Sequence, residues 1–302
     1  MSGTSEEIAG LRTEAVNPRT HDLERLSGPD LAALVFDEDR AVQRACAAAA
    51  ADVGRLIDAA ASALQMGGRL VYVGAGTSGR LAMLDAVELG PTFDFDIDRV
   101  PVLLAGGRDA VFRSREGAED RAMDGGRAID GIGITPLDFV VGISASGRTP
   151  FTLGALATAR RRGSRTGAIV CNAVGDDFPA EIVVHLDTGP EVLAGSTRMK
   201  AGSATKMVLN ALSLGAMARI GKVHGNRMVD VRVTSEKLLH RARGLVAELG
   251  EVDADEAARL VDAAGGRAKL AILMARSGLE REAAEARLEA AGGILSMALN
   301  DT

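Results

Sequence analysis

Leu70-Val71-Tyr72-Val73-Gly74-Ala75-Gly76-Thr77-Ser78-Gly79-Arg80 has a counterpart in Phe139-Val140-Val141-Gly142-Ile143-Ser144-Ala145-Ser146-Gly147-Arg148-Thr149-Pro150. Each is an apolar run suited to a buried strand, then a loop of glycines and hydroxyls, then a helical pattern. Such a loop turns backbone N–H groups, hydroxyl donors and the positive end of a helix dipole toward one anion. Two of them predict a site that grips a phosphate from two sides. Gly76, Thr77 and Ser78 of the first loop and Ser144, Ser146 and Thr149 of the second are the expected substrate-binding residues.

The spacing Gly74-x-Gly76-x-x-Gly79 also opens the helix of dinucleotide-binding folds. A nicotinamide cofactor would want a carboxylate after the next strand to hold the ribose. The next apolar run, Val100-Pro101-Val102-Leu103-Leu104, ends in Ala105-Gly106-Gly107, with no acid. The second hydroxyl loop is also surplus to a dinucleotide site. Two tight turns would explain the glycines, but Ser-x-Ser-Gly-x-Thr supplies more hydroxyls than a turn requires. The residues therefore favour a phosphate monoester.

Strand patterns near 69–74, 99–105, 138–143, 166–171 and 181–187 alternate with helical patterns near 79–88, 108–129 and 150–162. This predicts an α/β fold, a parallel five-stranded sheet flanked by helices. In the flavodoxin-like order 2-1-3-4-5, strands one and three are neighbours, and ligands bind between their carboxyl ends. Both hydroxyl loops follow those strands. Residues 1–30 read as an N-terminal arm, 31–249 as the α/β domain with flanking helices, and 250–302 as a small C-terminal helical domain. Within these, one helical pattern runs from Asp37 to about Met66, others cover Lys200–Ile220 and Val233–Leu249, and short ones lie near 253–263, 266–276, 280–290 and 293–299.

The 302 residues carry 35 basic against 41 acidic side chains, a net charge of −6, with 47% apolar content. That balance argues against a nucleic-acid surface, and no apolar run is long enough for a membrane span. The N-terminus, with Glu6, Glu7 and Arg12, lacks the apolar core of a secretion signal. Cys46 and Cys171, the only cysteines, are expected reduced and buried, as in the cytoplasm. His21, His185, His224 and His240 show no metal-ligand spacing, and His185 is expected packed within a strand. No metal site is expected.

Two carboxylates could do chemistry. Glu88 lies in Asp85-Ala86-Val87-Glu88-Leu89-Gly90-Pro91-Thr92, and Glu119 in Arg115-Glu116-Gly117-Ala118-Glu119-Asp120. A pair of acids can serve as base and acid when proton abstraction is coupled to loss of a leaving group. A helical carboxylate is ordinarily a solvated surface residue, so spacing alone does not assign them.

Further stretches join these: Thr13-Glu14-x-x-Asn17-Pro18, Gly195-Ser196-Thr197-Arg198-Met199-Lys200-Ala201-Gly202 and Gly221-Lys222-Val223-x-Gly225-Asn226-x-Met228-Val229-Asp230-Val231. With them the chain resembles the N-acetylmuramic acid 6-phosphate etherases of the sugar-isomerase (SIS) superfamily along nearly its whole length. The resemblance implies an SIS-type sheet, a cytoplasmic homodimer, a phosphosugar substrate, and no metal or redox cofactor. It implies a lyase of amino-sugar metabolism and peptidoglycan recycling that removes D-lactate from C3 of N-acetylmuramic acid 6-phosphate. The catalytic acids match Glu88, proton donor to the departing lactate, and Glu119, base at C2. An acid that keeps its proton near neutral pH needs a desolvated setting, so Glu88 is expected partly desolvated. Where the family commonly has Ser-Glu-x-Pro-Pro-Thr, this chain has Val87 and Gly90 in place of the serine and first proline. The alternatives are a non-catalytic sugar-phosphate-binding regulatory protein, which needs neither acid, and an aldose–ketose isomerase, which needs no acid for an ether leaving group.

A helix that starts at Gly79 with its N-terminus on the phosphate carries Glu88 on the order of 14 Å away, at 1.5 Å per residue. Either that helix breaks early and the chain doubles back, or Glu88 serves a neighbouring subunit's site. The second, a site shared across a two-fold interface, is the expectation adopted.

Overall fold

The computed structural model describes residues 10–230 and 236–300. The expected helix start at Val233 and the first nine residues of the arm lie outside them. The chain divides into two compact units, one running through Val87 and resuming at Ile97–Ser213, the other formed by Glu88–Asp96 with the chain from Leu214 on.

The first unit holds helices α1 (Gly28–Glu38), α2 (Arg40–Ala48) and α3 (Ala50–Gln65), then β1 (Leu70–Gly74) and the start of α4 (Gly76–Phe93). It continues with β2 (Val102–Leu104), α5 (Ala122–Gly131), β3 (Phe139–Ser144), α6 (Pro150–Arg161), β4 (Arg165–Val170), β5 (Ile182–His185) and most of α7 (Lys200–Arg219). The five strands form one parallel sheet in the order β2-β1-β3-β4-β5, the arrangement expected. Alternation along each strand sends Val71, Val73, Val140, Ala168 and Val170 to one face, where they pack with Ile129 of α5 and Phe151, Ala155 and Leu156 of α6. On the other face the buried Tyr72 hydroxyl donates to Asp85 of α4 at 3.2 Å, and Lys206 of α7 donates to the same carboxylate at 3.0 Å. Burial pushes the Asp85 carboxyl up, against the pull of these donors.

Several local expectations are corrected. The pattern from Asp37 to Met66 is three helices, because turns at Asp39 and Ala49 interrupt it without a glycine or proline to signal them. The pattern over 108–129 is a 3₁₀ turn at Arg108–Val111, an irregular stretch, and then α5. His185 is exposed, since β5 is an edge strand and His185 ends it. Cys171 is buried but Cys46 is half-buried, and both are free.

Gly79 explains the glycine spacing without a dinucleotide. A Cβ there would stand 2.3 Å from Leu104 Cδ1 and 2.9 Å from the Gly74 carbonyl, so only glycine lets α4 approach β1 and β2 so closely. Gly125 and Gly154 do the same for α5 against α6, where added Cβ atoms would fall about 2 Å from the Phe151 and Ala122 carbonyl oxygens.

The second unit contains a short hairpin, β6 (Val223–His224) with β7 (Arg227–Met228), followed by α8 (Glu236–Gly250), α9 (Ala254–Ala263), α10 (Ala268–Ser277), α11 (Arg281–Ala290) and α12 (Leu295–Asn300). Val246, Val261, Leu270, Ile272 and Leu273 form its core. Within it Asp230 receives both Lys222, at 2.7 Å, and the buried Lys269, at 3.1 Å. Among the described residues no helix is long and apolar enough to cross a membrane.

Candidate active site

β1 and β3 lie side by side with Gly74 paired to Ile143, so the two hydroxyl loops leave the carboxyl edge of the sheet together. α4 begins at Gly76, three residues earlier than the pattern indicated. Thr77 and Ser78 therefore occupy its first turn, where backbone N–H groups have no intrahelical partner.

The second loop is built differently. Ser144 is buried; its hydroxyl pairs with Thr149 Oγ1 at 2.8 Å and accepts from the Gly147 N–H at 3.1 Å. Ser146 Oγ accepts from the Arg148 N–H at 3.1 Å and pairs with Ser144 Oγ at 3.3 Å. Pro150 opens α6 and has no N–H, and the Phe151 N–H donates to the Glu119 carbonyl at 2.9 Å. So the second loop offers hydroxyls more than an open helix end. The bond from Phe151 also ties the irregular segment carrying Glu119 to this loop.

These pieces enclose a cavity of about 260 Å³, lined by Gly76, Thr77, Ser78, Ser146, Thr149 and Glu119, with Glu14, Arg80, Arg115 and Thr197. Ser144 lies beneath the lining and shapes it. Arg80 Nε is engaged by the Ala110 and Val111 carbonyls at 3.1 Å, and Arg115 pairs with Asp109 at 2.8 Å. Glu14, Arg80, Arg115 and Thr197 are additions to the expected set. Glu14 and Thr197 belong to motifs visible in the sequence, which gave no hint of what they face.

Glu88 does not line this cavity. α4 runs unbroken past it to Phe93, so the chain does not double back. Glu88 is exposed, not desolvated as expected.

Buried charges hold the surroundings. Glu191 accepts from the Lys200 and Ala201 N–H groups at 2.8 and 3.0 Å, closing the N-terminus of α7 with a carboxylate. Burial raises the Glu191 carboxyl in spite of these bonds. One residue later in α7, Gly202 brings the helix against Thr77, whose Cγ2 would be 3.7 Å from an added Cβ.

A family model described as the glucokinase regulatory protein N-terminal SIS domain matches residues 50–160. A protein from Synechocystis sp. named N-acetylmuramic acid 6-phosphate etherase is 49% identical over 98% of this chain and 97% of its own length. The protein of the same name from Mycolicibacterium smegmatis is 45% identical, covering 97% of this chain and 99% of its own. Among solved structures, a phosphoheptose isomerase from Francisella tularensis overlays with a TM-score of 0.48 at 16% identity, covering 63% of this chain and 98% of that one.

Proposed function

Because the chain belongs to the N-acetylmuramic acid 6-phosphate etherase family, we infer that this cavity carries the family's reaction. The protein is a lyase that removes D-lactate from C3 of N-acetylmuramic acid 6-phosphate and leaves N-acetylglucosamine 6-phosphate. The observation that carries the site assignment is the placing of two hydroxyl loops and Glu119 on one cavity wall. Thr77, Ser78, Ser146 and Thr149 hold the phosphate, and Ser144 sets the second loop.

The chemistry follows from the substrate. Ring opening exposes an aldehyde at C1, which acidifies the C2 proton. Glu119 removes that proton, the C3–O ether bond breaks, and the lactate oxygen takes a proton from Glu88. Water then adds across C2=C3, returning a proton to C2 and a hydroxyl to C3. We assign Glu88 to the site of a neighbouring copy in a homodimer. Its distance along an unbroken α4, on the order of 14 Å from Gly79, favours this, and a partner's surface would supply the desolvation that an acid needs. A cytoplasmic place in amino-sugar metabolism and peptidoglycan recycling fits two free cysteines and this substrate.

The test is lactate release from N-acetylmuramic acid 6-phosphate, read by a coupled dehydrogenase. Glu119→Gln is expected to abolish both lactate release and exchange of the C2 proton with solvent. Glu88→Gln is expected to abolish release while retaining exchange. A Glu88→Gln protein releasing lactate at the unaltered rate would remove Glu88 from the mechanism.

A further inference from the structure

We propose that Glu14 opens the sugar ring, carrying the proton for the step that precedes C2 deprotonation. This rests on the etherase reading, which requires an open-chain aldehyde but gives no residue the task of making it.

Two carboxylates line the cavity, Glu119 and Glu14, and a carboxylate can take a proton from one oxygen and return it to another. Glu119 is committed to C2. Glu14 comes from the arm, and the arm is fixed there. Thr13 is fully buried; its hydroxyl accepts from Asn172 Nδ2 at 3.0 Å, and its carbonyl accepts from the Gly195 N–H at 3.2 Å. Asn172 also donates to the Ala145 carbonyl in the second loop, at 2.9 Å. On the other side Asn17 donates to buried Glu38 at 2.7 Å. Glu14 is thus held between two anchored residues. Its Oε2 occupies space that a Cβ on Gly195 would invade, at 2.8 Å, and Gly195 has φ +74°. Glycine at 195 makes room for the carboxylate.

A carboxylate facing a phosphate-bearing sugar is repelled by the phosphate and favoured beside neutral donors, and the anomeric hydroxyl is such a donor. Glu14 takes the proton from O1 as the C1–O5 bond breaks and C1=O1 forms. The bonding pair goes to O5, and the carboxylic acid returns the proton there. Hemiacetal and hydroxyaldehyde are isomers, so no co-reactant is consumed.

The experiment follows interconversion of the α and β anomers of N-acetylglucosamine 6-phosphate by NMR exchange, which reports ring opening directly. The unaltered enzyme is expected to speed it, and Glu119→Gln to keep that acceleration. Glu14→Gln is expected to lose it by on the order of a hundredfold, with lactate release falling in proportion and binding of the same sugar phosphate retained. Glu14→Asp is expected to fall between the two. Anomer exchange at the normal rate in Glu14→Gln overturns the proposal, including the case where lactate release alone is lost. Loss of sugar-phosphate binding in folded Glu14→Gln also overturns it, as does unaltered enzyme that releases lactate without speeding exchange. Enzyme that speeds exchange but releases no lactate would instead contradict the etherase reading.

Discussion

The Lys200 ammonium stands 2.8 Å from the Glu38 carboxylate, and neither side chain is more than 7% exposed. Arg19 and Asn17 reach the same carboxylate at 2.8 and 2.7 Å, so one buried acid joins the arm, α1 and the start of α7. Burial alone would raise the Glu38 carboxyl; the hydrogen bonds from Lys200 and Asn17 and the charges of Lys200 and Arg19 outweigh it and hold it below the ordinary value.

Removing one partner of a buried pair leaves an uncompensated charge, at a cost of about 3–5 kcal/mol. Lys200→Met is expected near the lower end, because Arg19 and Asn17 remain. Denaturant unfolding checks this. A midpoint equal to that of the unaltered protein would show that the pair does not hold the arm.

Asp138, just ahead of β3, predicts a pH dependence. Burial pushes its carboxyl up, but bonds from the Arg69 guanidinium and the Thr135 and Arg69 N–H groups hold it below its ordinary value of 3.8. A carboxyl lowered on folding contributes stability above its unfolded pKa and loses it as pH falls through the folded one. Asp138→Asn should therefore cost about 2–3 kcal/mol at pH 7. The gap to the unaltered protein should close below pH 3.8 as Asp138 itself becomes protonated. A gap that stays constant with pH would mean the charge contributes nothing.

In the proposed site, Ser146→Ala removes one hydroxyl donor to the phosphate, worth about 1.5–3 kcal/mol for a bond to a charged group. The KM for phosphorylated substrate should rise roughly ten- to hundredfold, with the fold intact by circular dichroism. Unchanged kinetics in folded protein would reduce the second loop to a turn.

The sheet order was legible because buried parallel strands read as unbroken apolar runs, and the two loops that share its carboxyl edge stood out as glycine with hydroxyls. The four C-terminal helices were legible from their glycine punctuation: 253–263 became Ala254–Ala263, and 280–290 became Arg281–Ala290. The breaks at Asp39 and Ala49 were not, since no residue there forbids a continuous helix. Glu14 was visible only as part of a motif. What brings it to the cavity is Thr13 meeting Asn172, 159 residues away, and no local pattern encodes that pairing.

The shared-site proposal for Glu88 is tested by mixing two inactive proteins under subunit exchange, Glu88→Gln and the double variant Ser146→Ala with Glu119→Gln. Mixed dimers would then contain one site with every intact group, and activity should return. Proven exchange without recovery would put all groups on one chain.

The most direct test of elimination followed by hydration runs the unaltered enzyme in deuterated, ¹⁸O-enriched water and reads the labels by NMR and mass spectrometry. N-acetylglucosamine 6-phosphate should carry one deuterium at C2 and ¹⁸O in its C3 hydroxyl, with D-lactate free of ¹⁸O at its former ether oxygen. Lactate carrying ¹⁸O at that oxygen, or sugar with protium retained at C2 in every turnover, would contradict the account.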